Sequence, residues 1–162
     1  MSEFLIRPTG EDDREFIREF ISQRWYGEAV VVHGAIFYPA ELPGFLAVDG
    51  EQVAGLLTFQ IQNSDCEIIT LNSLLPGHGI GIQLIEAVKT SALQQVCSRL
   101  SVTTTNDNTH ALRFYQRQGF ELAVLHRLAV QHSRSIKPSI PALGCDGIPI
   151  RDEIELEMIL KS

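Results

Sequence analysis

The stretch Ile68-Ile-Thr-Leu-Asn-Ser-Leu-Leu-Pro-Gly-His-Gly-Ile-Gly-Ile-Gln-Leu-Ile-Glu-Ala-Val88 decides the fold. It opens as an apolar strand, turns through glycines at 77, 79 and 81, and continues as a helix whose Ile80, Leu84, Ile85 and Val88 recur at helical spacing. Glycines let a backbone approach a ligand closely, and the first N–H groups of a helix have no partner within it. A strand, glycine turn and helix in this order therefore make an anion site, suited to a diphosphate that can use several donors at once.

Spacing separates the common glycine loops. A dinucleotide-binding loop needs G-x-G-x-x-G, but counting from Gly77 the third position is Ile82, and from Gly79 it is Leu84. A nucleoside triphosphate loop ends in G-K-[ST], whereas Gly81 is followed by Ile82 and Gln83. Both patterns fail. The plain alternative is a tight strand-to-helix connection that binds nothing, and a second motif decides between them.

That motif is Asn108-Thr-His-Ala-Leu-Arg-Phe-Tyr-Gln-Arg-Gln-Gly-Phe120. With the upstream glycine turn, it resembles the GNAT superfamily of acyl-CoA-dependent N-acyltransferases, whose pattern here is N-x-x-A-x-x-[FL]-Y-x-[KR]-x-G-F. Asn108, Ala111, Phe114, Tyr115, Arg117, Gly119 and Phe120 all match. Of the family's other motif, [QR]-x-x-G-x-[GA], Gly79 and Gly81 match while Pro76 stands at the Gln or Arg position. Proline brings no N–H, so the cradle lacks one donor there. The resemblance implies an α/β fold with a mixed, mostly antiparallel sheet of about seven strands flanked by helices, forming one acetyltransferase domain over residues 1–162.

Outward from these motifs the element order agrees. Phe4 to Arg7 reads as a strand stopped by Pro8, and Thr9 with Asp12 resembles a capping box before a helix that turns Phe16, Ile17, Phe20 and Ile21 to one face. Gln23 to Gly44 is an aromatic-rich connection; the resemblance implies that it overhangs the acceptor end of the cleft. Phe45 to Val48 and Gln52 to Gln62 form a hairpin around Asp49-Gly50, and Glu67 to Leu74 feeds the glycine turn. Leu100 to Thr105 is a strand, Asn106-Asp107-Asn108 supplies helix caps, and Glu121 to Ala129 returns as a strand. Val130 to Ile150 is a long loop punctuated by prolines and glycines. Glu153, Glu155 and Glu157 alternate with Ile154, Leu156 and Met158, which reads as a strand with one solvated face.

Composition narrows the function further. A net charge of -7 disfavours nonspecific nucleic-acid binding. No apolar run approaches a membrane span or a signal peptide, so a cytoplasmic protein with no membrane partner is expected. Cys66, Cys97 and Cys145 are odd in number and lack a C-x-x-C pair, which argues against a disulfide framework and a zinc motif, and no metal is expected. A homodimer is left open.

The resemblance implies transfer of an acyl group, usually acetyl, from acetyl-CoA to an amine in a small molecule or peptide. Backbone groups around Gly77, His78, Gly79, Ile80, Gly81 and Ile82 would hold the diphosphate, and Leu74 and Leu75 would pair with the pantetheine arm as an added strand does. Asn108 would cap its helix and reach the co-substrate, with Arg117 or Arg113 near phosphate and His78 and His110 as further contacts. Neutralising an alkylammonium at pH 7 costs about 4 kcal/mol, and Glu67 is the candidate base, with Asp152 and Glu153 behind it. Tyr115 would protonate the leaving thiolate. The competing readings are a core tyrosine with its hydroxyl bonded locally, and a catalytically silent acyl-CoA sensor.

Overall fold

The computed structural model describes residues 4–161. Seven strands form one sheet: β1 (Leu5–Pro8), β4 (Gly44–Asp49), β5 (Gln52–Gln62), β6 (Asp65–Ser73), β7 (Arg99–Thr105), β9 (Glu153–Ile159) and β8 (Glu121–His126), in that spatial order. Every neighbouring pair is antiparallel except β6 and β7, joined through helix α2 (Ile80–Gln94). The mixed, mostly antiparallel sheet expected from the sequence is present. Helices α1 (Arg14–Arg24), α3 (Thr109–Arg117) and α4 (Ala129–Ile136) complete the helical set, and β2 (Val30–Val32) pairs with β3 (Ala35–Phe37) as a separate hairpin. No helix among the described residues is long and apolar enough to cross a membrane.

Two apolar cores lie on opposite faces of the sheet. On one, Leu57, Cys66, Ile68, Leu100, Val102 and Leu156 pack with Ile80, Leu84, Ile85 and Val88 of α2 and with Tyr115 of α3. On the other, Leu46, Leu56 and Ile69 meet Ile17, Phe20 and Ile21 of α1 and Val30 and Val32 of β2. The period of two sends the intervening residues of β6, β7 and β9 to that second face: Glu67, Thr103, Glu153 and Glu155 all point away from α2.

The feature that positions the site is the partial pairing of β6 with β7. They pair only from Asp65↔Arg99 to Ile68↔Val102, although both strands continue. Directly after Ile68 the β5–β6 register slips, with Thr58 opposite Thr70 and Phe59 opposite Ile68, so Ile69 is an extra residue. Such a bulge bends its strand, and here β6 leaves β7 at that point.

Several local expectations shift. The opening cap is one residue later than Thr9 and Asp12: the Gly10 N–H donates to the Asp13 carboxylate (2.8 Å), because Asp13 is also held by Arg7. β8 stops at His126 rather than Ala129, and the expected loop after it contains α4. α4 forms because its residue Val130 is buried, while Lys137 and Pro138 end it. The face of β9 expected to be solvated is partly covered: Glu153 is only 4 % exposed, because the β2–β3 hairpin lies over it.

Candidate active site

A cleft of about 670 Å³ opens where β6 and β7 part. Its walls are Leu71, Asn72, Ser73 and Leu75 from β6 and its continuation, Pro76, Gly77 and Gly79 to Ile82 from the glycine turn and start of α2, and Asn108, His110, Ala111, Phe114 and Tyr115 from α3 and its cap. Gly77 (φ +82°) and Gly79 (φ +71°) adopt the left-handed conformation that glycine tolerates, and a Cβ at either would meet nothing within 4 Å. The requirement there is backbone geometry and open space for a ligand. Gly81 differs, since a Cβ would stand 3.0 Å from Phe114 Cζ, so this glycine lets α3 close on α2.

The first α2 bond of this turn is Gln83 N–H to the Gly79 carbonyl (3.1 Å), which leaves the N–H groups of Ile80, Gly81 and Ile82 without an intrahelical partner. No side chain caps them, and the first turn holds no acidic residue. The cleft walls carry no lysine, arginine, aspartate or glutamate. An anion here meets backbone donors and the positive end of a helix dipole rather than fixed cations.

Leu74 and Leu75 separate. The Leu74 N–H donates to the Ala54 carbonyl (2.8 Å), so its backbone serves β5. Alternation then turns the main-chain groups of Leu71 and Ser73 towards the side β7 has vacated, and both line the cleft, as does Leu75 in the bend that follows. His78 lies outside the walls, with its ring edge-on to Phe4 at 6.1 Å. Arg117 is exposed at the far end of α3 and is likewise absent from the walls, whereas His110 lines them. Asn108 caps α3 by accepting the Ala111 N–H (3.1 Å) and borders the cleft. Asn106 and Asp107, in contrast, fasten the segment before β9, accepting the N–H groups of Arg151, Asp152 and Cys145.

Tyr115 is 6 % exposed and packs edge-on to Phe114 and Phe120. Burial pushes its hydroxyl pKa up, with no hydrogen bond contributing. Among the described residues no buried side-chain polar atom is left without a partner, so the free hydroxyl is not sealed in; it opens onto the cleft that Tyr115 lines.

Glu67 lies on the other face, one residue before the last paired rung of β6 and β7. His33 Nε2 stands 3.2 Å from its carboxylate and 2.9 Å from the Thr103 hydroxyl, and the His33 N–H donates to Glu153 (3.2 Å). The hydrogen bond to Glu67 holds the His33 pKa above its ordinary value despite burial, and burial raises that of Glu153. Asp152 turns elsewhere, accepting from the Leu128 N–H (2.8 Å) and Arg151 (3.0 Å). Sequence reasoning missed His33 as a partner of Glu67. Its signal was the run Val30-Val-Val-His-Gly-Ala-Ile-Phe37, a hairpin with a two-residue turn in which His33 and Gly34 both take positive φ. Trp25 joins the two faces by donating from Nε1 to Asn72 of the cleft wall (3.2 Å).

Residues 6–120 match the Acetyltransferase (GNAT) family. The chain belongs to the GNAT acetyltransferases. It is 36% identical over 157 residues to the uncharacterized protein YdhI of Bacillus subtilis (strain 168), covering 96% of this chain and 98% of that one. Among solved structures the GNAT fold aligns with an IAA acetyltransferase from Bacillus cereus ATCC 14579 at TM-score 0.75 and 21% identity, covering 98% of this chain and 100% of that one. It aligns with a GNAT family acetyltransferase from Elizabethkingia anophelis, solved with acetyl-CoA bound, at TM-score 0.69 and 21% identity, covering 99% and 100%. At such identity these structural likenesses establish the fold.

Proposed function

We propose that this GNAT protein transfers an acetyl group from acetyl-CoA to the nitrogen of an amine by direct attack, with Tyr115 as general acid and Glu67 as base. The observation that carries the reading is the unbonded Tyr115 hydroxyl opening onto the same cleft as the free N–H groups of Ile80, Gly81 and Ile82. Those N–H groups, with Gly77 and Gly79, would take the diphosphate, while the vacated edge of β6 at Leu71 and Ser73, with Leu75 in the bend beyond, would accept the pantetheine amides. Asn108 and His110 border the same space, and this reading gives no direct part to Leu74, whose N–H serves β5, or to His78 and Arg117, which stand outside the walls.

The amine lone pair forms the new bond to the thioester carbonyl carbon as the carbon–sulfur bond breaks. The Tyr115 hydroxyl gives its proton to the departing thiolate, and the proton shed by nitrogen goes to Glu67 at the opposite mouth of the strand opening. A hydroxyl whose pKa burial has raised stays protonated through the neutral range, which suits a donor.

The test is free-thiol release from acetyl-CoA across amines, amino acids, aminoglycosides, polyamines and peptides. Saturable turnover with at least one amine is expected, and Glu67→Gln should lower it about a hundredfold while acetyl-CoA affinity measured by calorimetry holds. Acetyl-CoA binding with no thiol release from any acceptor would favour the silent sensor, a reading that Pro76 in the cleft wall, with no N–H to offer, supports. No binding at all would end both.

A further inference from the structure

On the face opposite the acyl cleft, three side chains from distant parts of the chain converge: His33 from the β2–β3 turn, His126 from the end of β8 and Glu155 from the middle of β9. We propose that they form a binding site for one divalent transition-metal ion of the Zn²⁺ class.

The geometry carries this. His126 Nε2 is 3.0 Å from Glu155 Oε1, His33 Nε2 is 3.8 Å from the same oxygen, and the ligand atoms of the three residues lie within 4.8 Å of one another. For a triangle with sides 3.0, 3.8 and at most 4.8 Å, the point equidistant from all three lies at most about 2.4 Å from each. Zinc bonds imidazole nitrogen and carboxylate oxygen at about 2.0–2.2 Å, so movements of a few tenths of an ångström suffice. Two imidazole rings, 5.0 Å apart and inclined at 73°, bring their Nε2 atoms within 3.8 Å of a single carboxylate oxygen. Without an ion, that oxygen bonds the His126 ring alone, while His33 Nε2 bonds Glu67 (3.2 Å) and the Thr103 hydroxyl (2.9 Å). With an ion, both nitrogens become donors to the same centre.

The surroundings are built to hold these ligands. Arg99 binds the other oxygen of Glu155, fixing the carboxylate with Oε1 towards the histidines, as outer partners of metal ligands do. Glu153 accepts the His33 backbone N–H and pins the turn. Charge agrees as well: Glu67, Glu153 and Glu155 crowd round the histidines, and Arg99, the cation on Glu155, is shared with Asp65 and Glu157. The side chains of His33 and His126 are 31% and 35% exposed, so an ion can enter and keep water on its open side. Two imidazoles with one carboxylate favour Zn²⁺, Co²⁺ or Ni²⁺ over the oxygen-seeking Mg²⁺, Ca²⁺ and Mn²⁺. Local spacing could not reveal such a site, because no two of its ligands share an element.

The experiment uses the full chain, stripped with chelator and dialysed, titrated with Zn²⁺ in a calorimeter and with Co²⁺ in a spectrophotometer. One ion per chain, visible Co²⁺ absorption and a thermal shift absent with Mg²⁺ are expected. His126→Ala, at an exposed strand end, and His33→Ala should each weaken Zn²⁺ binding at least tenfold, since even outer-partner losses cost 10–100-fold. Cys145→Ser, which removes an exposed thiol, should leave binding unchanged. Should His33→Ala fail to fold by circular dichroism, His126→Ala alone decides. No Zn²⁺ binding by the wild type at millimolar ion, unchanged binding by the folded histidine variants, or loss of binding in Cys145→Ser would overturn the proposal. None of these readouts depends on acetyl transfer.

Discussion

The two faces of the sheet are built in different ways. On the acyl face, nearly everything that shapes the cleft comes from two continuous runs, Leu71 to Ile82 and Asn108 to Tyr115. On the opposite face, His33, Glu67, Thr103, His126, Glu153 and Glu155 are drawn from five strands or their turns, and they are tied together by hydrogen bonds between residues far apart in sequence. The acyl face rests on backbone conformation and free N–H groups, the other on side-chain charge. A site of the first kind tolerates change at its periphery but fails at single glycines; one of the second kind depends on the segments that hold its strands and turns in place.

The sharpest break should come from Gly79→Val. A branched residue at φ +71° carries strain of about 1–3 kcal/mol, and relieving it swings the N–H groups of α2 out of position. Acetyl-CoA affinity measured by calorimetry should fall by one to two orders of magnitude, with His33 and its partners untouched. Next in size, Tyr115→Phe removes a hydroxyl that bonds no described residue. Single-turnover rate should drop about a hundredfold with acetyl-CoA affinity unchanged; an unchanged rate would take Tyr115 out of the mechanism.

A third variant tests whether the faces are separable. Lys137, just past α4, donates from Nζ to the Trp25 and Ala29 carbonyls, and Ser139 donates to the Tyr26 carbonyl, so this segment clasps the chain leading into the β2–β3 hairpin. Lys137→Met should lower unfolding stability by about 1.5–3 kcal/mol while acetyl-CoA still binds. If affinity falls in parallel with stability, the two faces are one cooperative unit and the contrast is lost.

The smallest effect concerns Asp152, whose carboxyl is held below the ordinary range by the Leu128 N–H and then by Arg151. A depressed folded pKa adds stability above the unfolded value near 3.9, and the gain is lost as pH falls through the folded value. Asp152→Asn should therefore melt lower than wild type at neutral pH, by about 1 kcal/mol, and the gap should close in acid. A gap that persists at low pH would assign the effect to packing.

The same contrast governs what the sequence disclosed. The glycine spacing and the Asn108 to Phe120 pattern were readable because motif and site coincide over short runs, and the seven strands followed from alternation and turns. The bulge at Ile69 was not readable, since it depends on the partner strand's register, nor was the covering of Glu153, which depends on a hairpin more than a hundred residues earlier. α4 escaped notice because within Ala129–Ile136 only Val130 and Ser133 are buried, too few for a visible helical period. Nor was the edge that Leu74 faces readable: a single step of the strand decides where its N–H points, and the Ala54 carbonyl takes it.

The parting of β6 and β7 after Ile68 and Val102 also bears on how the protein can be blocked. In the proposed chemistry the opening between these two strands serves as a passage through the sheet, and the two reactants arrive from opposite sides. A plug lodged at one mouth leaves the other accessible, so it should compete with one reactant and leave the other's binding intact. A molecule long enough to thread the passage would hold both sides at once. Its two ends would then act at the high effective concentration that a short tether imposes, with an affinity beyond that of either half alone.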